Sequence, residues 1–283
     1  ETTEATGVLI DKAMEVVKVP DPSPEERRHR LLAAQAHVLE RGIVGLHDMG
    51  IDRKAHALYE ALDKEGLLKL RVHAFASQRW FEQELKDELA PTLEPKTRYA
   101  LVGVKIYVDG ALGSRGAAML RPYSDRRGHR GKLMASVRKF ESLTLDAVEQ
   151  GWQIAAHAIG DRGNRTILDA YGRVEQRHRH KDMRMRVEHA QIVDPVDIAR
   201  FSKLRVIASM QPTHATSDMP WVPARVGSNR LEGAYAWRRF LKSGARLPLG
   251  SDFPVEKVDV THGIYAAITR QDAAGQPEGG WLP

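Results

Sequence analysis

At 283 residues with 42% hydrophobic side chains, the chain can bury a sizeable core, and one large α/β domain spanning 1–283 is the first expectation. Its net charge of +6 is spread through mixed stretches such as SPEERRHR and RQDAAG, the pattern of a solvated surface, so no nucleic-acid partner is expected. The absence of cysteine excludes disulfides, thiolate nucleophiles and thiolate metal sites and fits a cytoplasmic location, and no run approaches the roughly 20 apolar residues of a membrane span.

The chain opens on ETTEATGVLI, without Met, and a helical stretch, SPEERRHRLLAAQAHVLERG, leads into a β-branched run, GIVGLHDMG (42–50). After the helical DRKAHALYEALDKEG come two more strand-like runs, LRVHAFAS (70–77) and YALVGVKIYVDG (99–110). Residues 110–140 are glycine-rich with no sustained apolar period, as expected of an inserted lid or binding loop. Helix and strand then alternate regularly. ESLTLDAVEQG precedes WQIAAHAIGD (152–161), RGNRTILDAYGRVEQR precedes MRVEHAQIV (185–193), DPVDIARFSKL precedes RVIASMQP (205–212), and GAYAWRRFLKSG precedes ARLPLGSDFP (245–254). That makes seven strands. The chain stops on GGWLP without a closing helix, so a piece of something longer is expected.

Strands apolar on both faces and separated by helices call for a parallel sheet covered by helices, either doubly wound or closed as a (β/α)8 TIM barrel. Polar residues decide between them. His47, Asp48, Lys105, Asp109, His157, Asp161, His189, Gln191, Gln211, His214 and Asp252 all fall in or just after the second half of a strand, as at the mouth of a barrel. No glycine-rich phosphate loop opens a helix, which removes the main support for a nucleotide-binding open sheet. An incomplete barrel of about seven strands is the expected fold.

Lys105, His157, His189 and Asp252 form the sharpest functional hypothesis, because donors fixed at strand ends and converging on one mouth suit a hydrolytic metal centre. Asp252 is the candidate general base. Lys105 stands between Val104 and Ile106, where burial lowers its pKa; a neutral amine there could add carbon dioxide to give a carbamate, or the lysine could pair with Asp109 or reach the barrel end. Each residue alone has an ordinary alternative, a packed imidazole or a capped turn, but four at the same end of four strands favour the metal site. His47 and His73 could reach the mouth or simply pack. His29, His37, His56, His129, His178 and His180 are expected at the surface, and His262 has no assigned role.

Five stretches in order, VKIYVDGALGSR, AAHAIGDRGN, RVEHAQIV, ASMQPTHATSDMPW and LPLGSDFPVE, resemble the amidohydrolase superfamily, in particular the family 3 branch that includes N-substituted formamide deformylases. The resemblance runs from about Gly42 to Pro283. It implies a TIM-barrel metal-dependent hydrolase with one or two divalent ions, zinc being usual. Lys105 is similar to the carboxylated bridging lysine, His157 and His189 to metal ligands, Asp252 to the aspartate that binds metal and activates water, and Arg115 and His214 to substrate-facing residues. The family's H-x-H pair on the first barrel strand and its flanking β domain have no counterpart here, so two expected ligands are missing. Cleavage of a C–N bond in an amide-like small molecule is the expected activity; a non-catalytic barrel fragment or ligand-binding module is the alternative. Unpaired edges beside the missing strand leave a homo-oligomer open.

Overall fold

The computed structural model describes residues 7, 9, 11–92, 96–178 and 182–282. Six parallel strands form one sheet in chain order: β1 Gly45–Ile51, β2 Arg71–Ser77, β3 Tyr99–Tyr107, β4 Gln153–Ala158, β5 Arg186–His189 and β6 Ile207–Ser209. Helices connect successive strands. The sheet curls strongly enough for Arg186 on β5 to reach across its inner side to His47 on β1, with 2.6 Å between Nη1 and Nδ1. The architecture is therefore a curled half-barrel.

The seventh expected strand does not form. Residues 246–250 run beside β6 in parallel, with Ala208 N donating to Arg246 O (2.9 Å), Met210 N to Pro248 O (3.1 Å) and Gly250 N to Met210 O (3.0 Å), but only the single bridge Met210–Leu249 results. Two features of LPLGSD limit it. Pro248 has no N–H to give to the ladder, and Asp252 adopts a left-handed conformation, φ 57°, that turns the chain out of extension. Phe253 just beyond stacks on His37 of the first helix, Pro24–Leu39, with ring centroids 5.6 Å apart. The incomplete barrel of about seven strands read from the sequence is thus an open sheet of six among the described residues, with β1 at one edge.

Several other elements depart from the sequence reading. The helix Val137–Glu149 begins a turn earlier than expected because Ser136 caps it, accepting from Lys139 N (3.2 Å), and Phe140 is buried. A seven-residue helix, Pro212–Asp218, follows β6 in a stretch to which the sequence reading assigned no element; it is short and lacks an apolar period. His56 is not a surface residue but packs between Trp80 and Tyr99, its Nδ1 2.8 Å from the Tyr99 hydroxyl. His129 is half-buried on Tyr123. Of the HRH stretch, His180 lies outside the described residues.

β3 is buried along almost its whole length, as the apolar run YALVGVKI requires of a strand covered on both sides. Gly103 makes room on the inner side. A Cβ there would lie 2.5 Å from the Gln153 carbonyl oxygen and 2.5 Å from the Phe75 ring. Gly103→Ala is expected to cost about 1–3 kcal/mol through forced displacement of Phe75 or of β4, measured as a lowered urea midpoint at unchanged slope. An unchanged midpoint would mean that the two strands separate freely.

No helix among the described residues is long and apolar enough to cross a membrane.

Candidate metal centre

Three parallel strands deliver the central groups. Lys105 sits on β3, with β1 close over its stem: a Cβ at Gly50 would be 3.7 Å from Lys105 Cγ. The lysine is 4% exposed, has no ion pair among the described residues, and lies with Nζ 5.3 Å from the Tyr107 ring centroid. Burial holds its pKa below the usual lysine range, against the raising influence of Glu188 and Asp252. It does not pair with Asp109, whose carboxylate is occupied by backbone N–H groups.

His157 near the end of β4 and His189 at the end of β5 meet edge to face, ring centroids 4.6 Å apart. Burial pushes the His157 imidazole down to about 3, helped by the positive charge of Lys105, and its buried Nε2 has no hydrogen-bond partner among the described residues. His189 lies in the left-handed region, φ 77°, where a residue with a Cβ is held only by its surroundings. Its Nδ1 is 2.9 Å from Gln211 Oε1. The amide of Gln211 is itself oriented, because its nitrogen donates to Ser209 O at 3.2 Å. Oε1 must therefore accept, the proton of neutral His189 sits on Nδ1, and Nε2 keeps its lone pair for a ligand bond. Burial and the neighbouring positive groups keep this imidazole well below its ordinary pKa.

His214 comes from the helix Pro212–Asp218, its ring stacked on His189 with centroids 5.9 Å apart. His214 Nε2 is buried, has no hydrogen-bond partner among the described residues, and lies 3.8 Å from Asp252 Oδ2. Burial raises the Asp252 pKa, opposed by His214 and Lys105. One donor atom each from His189, His214 and Asp252 lies within 4.8 Å of the others. Donors sharing a tetrahedral ion with bonds of about 2.0–2.1 Å stand about 3.3 Å apart, so modest side-chain rotation brings this set together. Two imidazole nitrogens, one carboxylate oxygen and buried nitrogens lacking partners fit a divalent metal.

His157 and Lys105 adjoin this group. Arg115, in contrast, is engaged in the segment after β3: Nε and Nη2 bind Asp125 at 3.0 and 2.9 Å, and Asp125 also pairs with Arg225. His47 lies on the inner side, stacked on His73 at 5.7 Å, and its pKa falls to about 4, through burial and then Arg186. Two features escaped the sequence reading. Gln211 was noted for its position but given no role, and the buried pair Arg186–Glu188 on β5 was passed over. The signal for that pair was two opposite charges at i and i+2 inside an apolar run.

Comparison with known proteins matches the model of the amidohydrolase family to residues 1–282. The chain belongs to the amidohydrolase family. Among its relatives, the protein LONG AFTER FAR-RED 3 of Arabidopsis thaliana is 34% identical over 94% of this chain and 48% of its own length, and the putative amidohydrolase YtcJ of Bacillus subtilis is 31% identical over 96% and 52%. An N-substituted formamide deformylase of Arthrobacter pascens is 26% identical over 83% and 44%. Crystal structures of uncharacterized metal-dependent hydrolases from Pyrococcus furiosus and Pyrococcus horikoshii superpose with TM-scores of 0.82 and 0.82 at 29% and 28% identity. They are covered over 55% and 52% of their length, by 94% and 95% of this chain. The amidohydrolase chain thus spans about half the length of the relatives it matches.

The neutral imidazoles set a pH dependence. In the unfolded chain a histidine protonates near about 6.5, whereas folded His47 and His157 do so only at about 4 and about 3, and His189 is lowered as well. Below pH 6.5 the unfolded state binds more protons at these three groups, so stability is full above that value and falls on acidification towards the folded values. Asp109, pushed up to about 7 by burial, acts with the opposite sign, and raised Asp48, Asp161, Asp218 and Asp252 act in the same sense as Asp109 at the acid end. Three imidazoles outweigh one carboxyl between about pH 6.5 and 5. The urea midpoint of metal-free protein is expected to drop across that interval, and a flat or rising midpoint would contradict the neutral-imidazole assignment.

Proposed function

We propose that the protein containing these residues is a metal-dependent hydrolase that cleaves the C–N bond of an amide-like small molecule. The observation that carries this reading is the convergence of His189, His214 and Asp252, with His157 beside them and the buried Nε2 atoms of His157 and His214 without hydrogen-bond partners among the described residues. His157, His189, His214 and Asp252 would hold the ion, with zinc the expected metal for nitrogen-rich donors and a carbamate on Lys105 a further oxygen donor. When bound, one or two such ions supply Lewis acidity, polarising a carbonyl and making water acidic enough to ionise near neutral pH.

The chain's own residues supply the rest. Asp252, half-exposed at the mouth and raised by burial, accepts a proton from attacking water and returns it to the leaving nitrogen. Gln211 fixes the tautomer of His189. His214 is a donor in this reading and only secondarily a substrate contact. A substrate-facing Arg115 would have to exchange Asp125 for an anionic or carbonyl oxygen. Residues 110–136 would act as the lid, and the cysteine-free composition supports a cytoplasmic setting.

The test is amine release from a panel of N-formyl and N-acyl amines by the intact protein loaded with Zn2+. Turnover that disappears with a chelator and returns with metal is the expected result. Turnover indifferent to chelation, or no amine released from any member of the panel, would overturn the reading.

A further inference from the structure

Asp109 is fully buried and takes no part in the chemistry above, yet it stands where three segments meet around His157. The preceding residue continues the β3–β4 ladder, Val108 N donating to the His157 carbonyl at 2.9 Å. Its carboxylate then gathers backbone N–H groups from both sides. Oδ2 accepts from Ala118 N (2.8 Å) and Gly160 N (2.9 Å), and Oδ1 accepts from Ile159 N (3.0 Å). Oδ1 also lies 3.7 Å from His157 Nε2, too far for a hydrogen bond but in contact with the ring. The Gly110 backbone, next in sequence, faces the same imidazole.

Close packing explains the glycines of this turn. A Cβ on Gly160 would sit 2.1 Å from Ala118 O, and one on Gly163 would sit 2.4 Å from Asp109 Oδ2. The helix Asp161–Arg177 has Gly160 at its N-cap and so no capping side chain there; instead the Ala118 carbonyl accepts from Arg162 N (3.0 Å) and Gly163 N (3.2 Å), while Asp161 Oδ1 accepts from Arg162 N (2.9 Å) and Leu120 N (2.7 Å). The strand end bearing His157 and the start of the long segment after β3 are thereby locked together through one carboxylate.

We infer that Asp109 is a positioning residue, fixing the turns on either side of His157 so that its imidazole is held at the mouth in one orientation. This rests on the reading of His157 as a metal donor. An asparagine at 109 keeps the volume but offers one oxygen and a competing N–H2 to three N–H donors, so the turn must rearrange. Gly163→Ala displaces the carboxylate without removing its charge, at a helical position where alanine is otherwise favoured.

The experiment uses the intact protein, with Co2+ as the probe ion and 15N-labelled histidine. Asp109→Asn is expected to weaken Co2+ affinity about 10–100-fold, to alter the cobalt absorption spectrum, and to shift or broaden the His157 imidazole signals in the metal-free protein, at unchanged circular dichroism. Gly163→Ala is expected to move the same signals and weaken Co2+ by a smaller factor. If Asp109→Asn does not fold, Gly163→Ala decides. A folded variant with parental cobalt affinity and unmoved His157 signals would overturn the inference. A parent that binds no Co2+ would instead defeat the proposed function, and the metal-free imidazole signals would still decide the role of Asp109.

Discussion

Asp252→Asn in the intact protein is expected to lower turnover about 10²–10⁴-fold, the range for removal of a general base, with little change in thermal unfolding. Asparagine is the informative substitution here. Asp252 occupies the left-handed region at φ 57°, which asparagine tolerates and alanine does not, so the backbone between Gly250 and the Val255 turn is preserved. The variant also keeps an oxygen that can face His214, so metal content should fall less than activity. Parallel measurement of kcat, bound zinc and melting temperature separates the two roles. Loss of activity strictly proportional to loss of zinc would reduce Asp252 to a ligand, and full activity would remove it from the mechanism.

The second large effect is on stability. Arg186 and Glu188 are each 5% exposed and form a bidentate pair, Nε–Oε1 2.7 Å and Nη2–Oε2 3.1 Å. Ser209 Oγ lies 3.0 Å from Nη2, His47 Nδ1 2.6 Å from Nη1, and the guanidinium is 5.5 Å from the Phe75 ring centroid. Removing only the acid by Glu188→Ala leaves a buried cation without its counter-charge and is expected to cost about 3–5 kcal/mol. Replacing both partners, Arg186→Met with Glu188→Leu, is expected to recover most of that loss, because the desolvation of both charges is removed as well. Urea unfolding of the two variants measures the difference. A Glu188→Ala cost below about 1 kcal/mol would mean that water reaches the pair and the inner side of the half-barrel is wet.

What could be read from the sequence follows a physical division between local pattern and long-range contact. Lys105, His157 and His189 were legible because each interrupts a β-branched apolar run near its C-terminal end, and period-2 burial fixes such positions once the strand is recognised. The parallel order β1 to β6 followed from the same alternation of runs and helices. The 245–254 segment was over-read: its apolar residues resemble a strand, but Pro248 and the turn at Asp252 act against one, and the lost N–H was visible in the sequence itself. His214 was read at the mouth as a substrate-facing residue, but it is carried by a helix too short to show periodicity, so its closeness to the His189 and Asp252 donors was not legible. The His47–Arg186 contact joins residues 139 positions apart and exists only because the sheet curls. Asp109 illustrates the hardest case, since a buried carboxylate binding three amides and a solvated turn aspartate leave the same trace in VDG.

The central claim is that His189, His214 and Asp252, with His157 beside them, share one metal. A crystal of the intact protein grown with Zn2+ and measured on both sides of the zinc absorption edge tests it most directly. An anomalous peak within bonding distance of His189 Nε2, His214 and Asp252, with His157 beside it, is the expected result. A peak held elsewhere, or none at full zinc occupancy in solution, would contradict the account.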